Sequence, residues 1–166
     1  TAAFFVASLI HVPIGPASIH LLMIGLIGLL LGWSCFPAML VALFLQALFF
    51  QYGGLTVLGV NTVNMALPAL LVYFLFSPLI RHKHFRVNTL GGFLAGSLAI
   101  LGSGVLTSLS LALSGEPFVR AAQFILLAHL PLMFIEGFIT AVVITFIKKV
   151  RPEILHKSSA TDLGLE

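Results

Sequence analysis

HVPIGPASIH, residues His11 to His20, sets two imidazoles around a Pro-Gly-Pro interruption between apolar runs. Proline lacks an amide donor and pushes its predecessor out of the helical region, so Pro13 to Pro16 break any helix through this stretch. Imidazole is a metal ligand, and hydrocarbon tolerates it poorly unless protein, water or an ion attends it. The two histidines therefore mark a functional end of whatever the flanking apolar runs build.

Those runs dominate the chain. Of 166 residues, 60% are hydrophobic and 8% are charged, and the mean hydropathy is +1.16. About 20 apolar residues make one membrane crossing, so this length accommodates five or six helical spans and almost no soluble domain. The expected fold is an all-α integral membrane protein. Breaks at Pro13–Pro16, Gly32–Pro37, Gln51–Gly59, Pro78–Asn88 and Ser114–Pro117 predict six helices: Thr1–Val12, Ala17–Leu31, Pro37–Phe50, Asn61–Ile80, Thr89–Leu113 and Phe118–Ile147. Residues 1–155 form the membrane domain, and 156–166 a polar tail expected to be disordered. Thr1 is preceded by no methionine or basic leader, and Ala2 to Val12 is too short to span. The sequence is thus expected to be N-terminally incomplete.

Seven of the eight basic residues lie in two patches, Arg81, Lys83 and Arg86 in one, Lys148, Lys149, Arg151 and Lys157 in the other. Basic loops stay in the cytoplasm, which places the RHKHFR loop and the C-terminus inside. Two helices separate them, the even number this requires. The same clustering argues against a nucleic-acid surface. Counting back, His20, Asn61 and Asn64 fall near the outer ends of separate helices with His11 beside them. Gln46 lies in an outer half-helix. Each alone is an ordinary cap or interface hydrogen bond; together they form a candidate polar cluster.

Glu136 is the one acid well inside a span, 12 residues before Lys148 and so about 18 Å along the helix. It must face protein or water. His129, seven residues earlier, lies near the same face. A structural hydrogen bond and a proton or ion relay both suit this pair. Cys35, the one cysteine, is expected to be a small packing residue. Small residues recur at contact spacing: Gly25, Gly28 and Gly32; Gly92, Gly96, Ala99 and Ser103; Ala3 with Ala7; Ala38 with Ala42. They suit internal packing, or docking of another membrane subunit.

The stretches HVPIGPASIHLL, LLLGWSCFPA, LQALFFQYGGLTVLGVNTVNMALPA and LLAHLPLMFIEGFIT followed by VRPEIL resemble the CbiM/NikM family. These are the substrate-binding S-components of energy-coupling-factor (ECF) transporters for cobalt and nickel. The most specific part is Gly53, Gly54, Gly59, Asn61, Asn64, Met65 and Ala66. The resemblance implies a seven-helix fold with the N-terminus outside, hence one further helix before Thr1. It implies metal held by nitrogen: an N-terminal Met-His pair, which this sequence lacks, and an imidazole that carries over onto His20. GPASIH stands where many relatives have GGTSGH. An amine, an amide and imidazoles suit Ni(II) and, less tightly, Co(II). Asn61, Asn64, His11 and Gln46 are candidates to orient the ligands.

No GxxxxGK[ST] loop is present, so energy must come from elsewhere. The resemblance implies a CbiQ-like coupling subunit and CbiO-like ATP-binding subunits in a prokaryotic inner membrane, with Co(II) or Ni(II) as cargo and no intrinsic cofactor. The chain is therefore expected not to be an enzyme, and it has no HExxH motif. A self-sufficient proton-coupled carrier using Glu136 and His129 is the alternative.

Overall fold

The computed structural model describes residues 11–14, 17–20, 22–50 and 54–155, the first two of these as backbone alone. The chain begins there as a hairpin. β1 (His11–Ile14) pairs antiparallel with β2 (Ala17–His20), His11 opposite His20 and Ile14 opposite Ala17. This corrects the helix expected over Ala17–Leu31 and the end of the one expected over Thr1–Val12, whose first ten residues lie outside the described ones. The reason is local. Pro13 holds Val12 away from the helical region, and Val12, Ile14 and Ile19 are β-branched residues that favour extended backbone.

Helices follow. α1 (Ile24–Leu31) passes through a 3-10 turn at Gly32–Ser34 into α2 (Cys35–Phe50), and α3 (Leu58–Ile80), α4 (Phe85–Leu113) and α5 (Val119–Val150) complete the bundle. A second 3-10 turn, Glu116–Phe118, leads into α5. α1 has 8 residues, about 12 Å, too short to cross a core of about 30 Å. The turn at Gly32 keeps the backbone bonded, since its N–H donates to Gly28 O and the Cys35 N–H to Gly32 O and Trp33 O. Ile24–Phe50 is accordingly one candidate span of 27 residues, where the Gly32–Pro37 break had suggested two helices in separate spans.

Four stretches among the described residues are long and apolar enough to cross a membrane: Ile24–Phe50, Leu58–Ile80, Phe85–Leu113 and Glu116–Val150. The expected count of six is not reached there. The last three helices sit where the hydropathy pattern puts them, each three or four residues longer at one end, with the last starting one residue later than expected. Pro68, Pro78 and Pro131 lie inside helices, which neighbouring helices make tolerable in a bundle.

The helices close on small residues. A Cβ on Gly25 would lie 2.6 Å from Gly96 Cα, and one on Gly28 would overlap the Ala69 carbonyl. On the other side of α4, a Cβ on Gly92 would sit 3.1 Å from Ala141 Cα and one on Gly96 2.7 Å from Glu136 O. The small-residue faces of α1 and α4 are thus spent on internal packing. Cys35 is buried with its Sγ directed at Ala66 O, 3.9 Å away, the packing role expected of it. Ala3 and Ala7 fall outside the described residues, as does 156–166.

The two basic patches meet at one end of the bundle. Lys148 Nζ donates to His82 O, and Arg81 Nε donates to Leu155 O over 3.0 Å. Asn88, fully buried there, donates to Ile80 O and ties the start of α4 to the end of α3.

Candidate functional site

The helix that follows the histidine hairpin has no local cap. No Ser, Thr, Asp or Asn immediately precedes Ile24, and Met23 adopts a left-handed conformation (φ 47°, ψ 30°) with no side-chain cap from its own segment. Buried amides that lead into a helix need acceptors, and in a bilayer interior no water supplies them. Glu136 does. Its Oε1 accepts the Leu22 N–H at 2.5 Å and the Met23 N–H at 2.8 Å, from a position 114 and 113 residues away. A carboxyl group at a helix N-terminus is also where the macrodipole favours it.

Glu136 is completely buried. Its Oε2 and the Oγ1 of Thr140, one turn further along α5, have no hydrogen-bond partner among the described residues. The structural hydrogen bond expected of this acid is present, and its partners are two backbone amides that lie two and three residues beyond His20. The exit of the hairpin is therefore fixed at the middle of α5.

The remaining candidates are spread through the bundle. Asn64 is buried on α3, and its amide faces Ser110 Oγ on α4 at 3.3 Å. Ser110 lies 14 residues along α4 from Gly96, which packs on Glu136 and Thr140; that is about 21 Å. Asn64 thus has a partner other than the hairpin exit. Asn61, in the first turn of α3, is half-buried, its backbone N–H bonded to Val57 O at 2.9 Å. Gln46 is buried on α2. His129 is half-buried, with Nδ1 2.8 Å from Ile125 O and its ring packed over Gly104. Seven residues, or about 10 Å of helix, separate it from Glu136.

Among the residues described with side chains, no three of His, Cys, Asp and Glu come together as a metal site. His11 and His20 are placed by their backbone, directly opposite each other at the open end of the hairpin. The amides of Leu22 and Met23 and the hydroxyl of Ser110 were not anticipated as partners of the polar residues. One signal for the first pair is present in the sequence: the apolar run after His20 lacks a cap, so its cap must come from elsewhere.

Residues 1–154 match the family described as the cobalt uptake substrate-specific transmembrane region, CbiM. A Haemophilus influenzae protein assigned to metal transport is 42% identical over 159 residues, covering 95% of this chain and 77% of its own length. The cobalt transport protein CbiM of Sorangium cellulosum is 36% identical over 174 residues, covering 98% and 76%. A crystal structure of a transition metal transporter superposes with a TM-score of 0.64 at 27% identity, over 95% of this chain and 77% of that one. The bundle of apolar helices and these likenesses agree, and the chain belongs to the CbiM family of membrane-embedded, substrate-specific components of cobalt and nickel transport.

Proposed function

We propose that this protein is the substrate-capturing subunit of an ECF-type importer, binding Co(II) or Ni(II) for uptake driven by partner ATPases. The observation that carries the reading is the hairpin: it sets His11 opposite His20 and is anchored through Leu22 and Met23 on Glu136. A ligand held on a two-stranded ribbon with a fixed exit is pre-organised, which is what selective capture of a small cation demands. His20 is the ligand and His11 its neighbour across the ribbon, with Asn61 and Gln46 as the polar groups proposed to orient the metal-bound segment; Asn64 is already held by Ser110 on α4. Imidazole nitrogen suits both metals, with Ni(II) the tighter by the usual affinity order.

Uptake then needs a CbiQ-like membrane subunit and CbiO-like ATP-binding subunits, because this sequence contains no phosphate-binding loop. The carrier alternative would rely on Glu136 and His129, yet each already holds a backbone group of the protein.

Two measurements test the reading. Calorimetry on the purified protein, carried in its full-length form, is expected to give metal binding that His20→Ala abolishes while the unfolding temperature stays unchanged; undiminished affinity in that variant removes His20 from the site. Vesicles holding the protein alone, or with the coupling and ATP-binding subunits, are expected to accumulate radiolabelled metal only with the partners and ATP. Accumulation by the protein alone under a proton gradient, lost in Glu136→Gln, would replace the importer with the carrier.

A further inference from the structure

The outer surface of α4 and α5 carries a groove of about 740 Å³. On α4 it is lined by a stripe that includes Arg86, Thr89 and Phe93, and on α5 by one that includes Phe138, Val142 and Lys149. Both cations stand at the same end. From Phe138 to Lys149 the α5 stripe rises about 16 Å, close to half of a hydrocarbon core about 30 Å thick. The groove therefore has the length of one leaflet, positive charge at its mouth and aromatic walls below.

Its chemistry is equally asymmetric. No acidic residue lines it. Arg86 and Lys149 are exposed and make no hydrogen bond or ion pair among the described residues, whereas the adjacent Lys148 is engaged with His82 O. Along the floor, the hydroxyls of Thr89 and Thr145 are bonded to each other at 3.0 Å and Ala141 is buried. The interior of the groove thus asks for apolar matter, and its mouth asks for an anion.

We propose that this groove binds one anionic phospholipid, its phosphate between Arg86 and Lys149 and an acyl chain along the furrow towards Phe93 and Phe138. Basic pockets between membrane helices at the bilayer surface recognise headgroups in this way. The apolar length matches a chain of the adjoining leaflet, and the two cations provide the charge complement that a zwitterionic lipid satisfies less well. Such a lipid braces the α4–α5 pair from outside, on the face away from α1.

A reporter placed in the groove tests this. Phe146→Trp is introduced into the protein carrying Trp33→Phe, so that the only indole faces the groove, with Leu90→Trp as a second reporter should the first fail to fold. Each is reconstituted in phosphatidylcholine nanodiscs containing graded fractions of brominated phosphatidylglycerol or brominated phosphatidylcholine. Half-maximal quenching is expected at roughly tenfold less of the anionic lipid. Arg86→Gln with Lys149→Gln should equalise the two lipids, while Lys83→Gln with Arg151→Gln should leave the preference intact. Equal quenching in the parent, or an equal loss of preference in both charge pairs, overturns the site. So does a reporter shielded from both lipids in the complex extracted from its own membrane, which would assign the groove to a partner protein.

Discussion

Glu136 shows how one residue can join segments that lie far apart in sequence. Its Oε1 takes two consecutive amides that no neighbour in their own segment can satisfy, and it does so where water is excluded. Stranding a buried amide costs about 1–3 kcal/mol, so Glu136→Leu, which strands both, is expected to lower thermal stability in detergent by several degrees or to prevent folding. Glu136→Gln keeps an oxygen acceptor in the same place and should cost clearly less. Because the bonded amides follow His20, Glu136→Gln should also weaken Ni(II) binding measured by calorimetry, by about 10- to 100-fold. A glutamine variant with native stability and native affinity would show that the anchoring of the hairpin has no part in capture. That an acid inside an apolar helix must meet protein was legible from its position; that it meets Leu22 and Met23 was not, since neither residue carries a side-chain signal.

At the scale of the helices, packing is governed by where a Cβ can fit. Gly96→Ala would place a methyl 2.6 Å from Thr140 Oγ1 and 2.7 Å from Glu136 O, and Gly25→Ala one 2.6 Å from Gly96 Cα. Backbone cannot yield as a side-chain tip can, so both substitutions should separate α1, α4 and α5 and destabilise the protein by about 1–3 kcal/mol, as overpacking does. A Cβ on Gly59, near the start of α3, would meet nothing within 4 Å among the described residues. Gly59→Ala is expected to be neutral or to stabilise by up to about 1 kcal/mol through helix propensity. Thermal unfolding of the three variants under one detergent condition checks the contrast, and a destabilised Gly59→Ala would contradict it. The recurrence of small residues every third or fourth position was visible in the sequence. Which helix each face meets was not, because the spacing is the same whatever lies opposite.

For the whole molecule, lipid acts as solvent. Leu113, Phe124 and Phe138 are 79%, 71% and 67% exposed, a surface that only hydrocarbon accommodates over this extent. The contacts of Lys148 with His82 and of Arg81 with Leu155 bring both basic patches to one end. Cysteines introduced by Lys83→Cys and Arg151→Cys should therefore react with an impermeant maleimide from the same side of sealed vesicles. Ser114→Cys, between α4 and α5, should react from the other. Buried Cys35 should not report. Labelling of Lys83→Cys and Arg151→Cys from opposite sides would break this topology, whereas labelling of both from inside would agree with the basic-loop rule.

Membrane residence, the three long helices from Leu58 onward and the pairing of the two basic patches follow from composition and local pattern, since burial in lipid rewards apolar length and loop charge whatever the tertiary contacts. The anchor on Glu136 depends on contact between distant segments, whereas the hairpin at His11–His20 and the join of α1 to α2 at Gly32 have local causes that the hydropathy pattern does not register. Periodicity could not tell a short strand from a short helix in VPIGPASI, because a few residues fit both and the prolines forbid only one of them in the folded chain. Asn64 likewise reads the same in sequence whether it faces a histidine or Ser110. Its neighbour is chosen by how α3 and α4 pack, and that is a property of the assembled bundle.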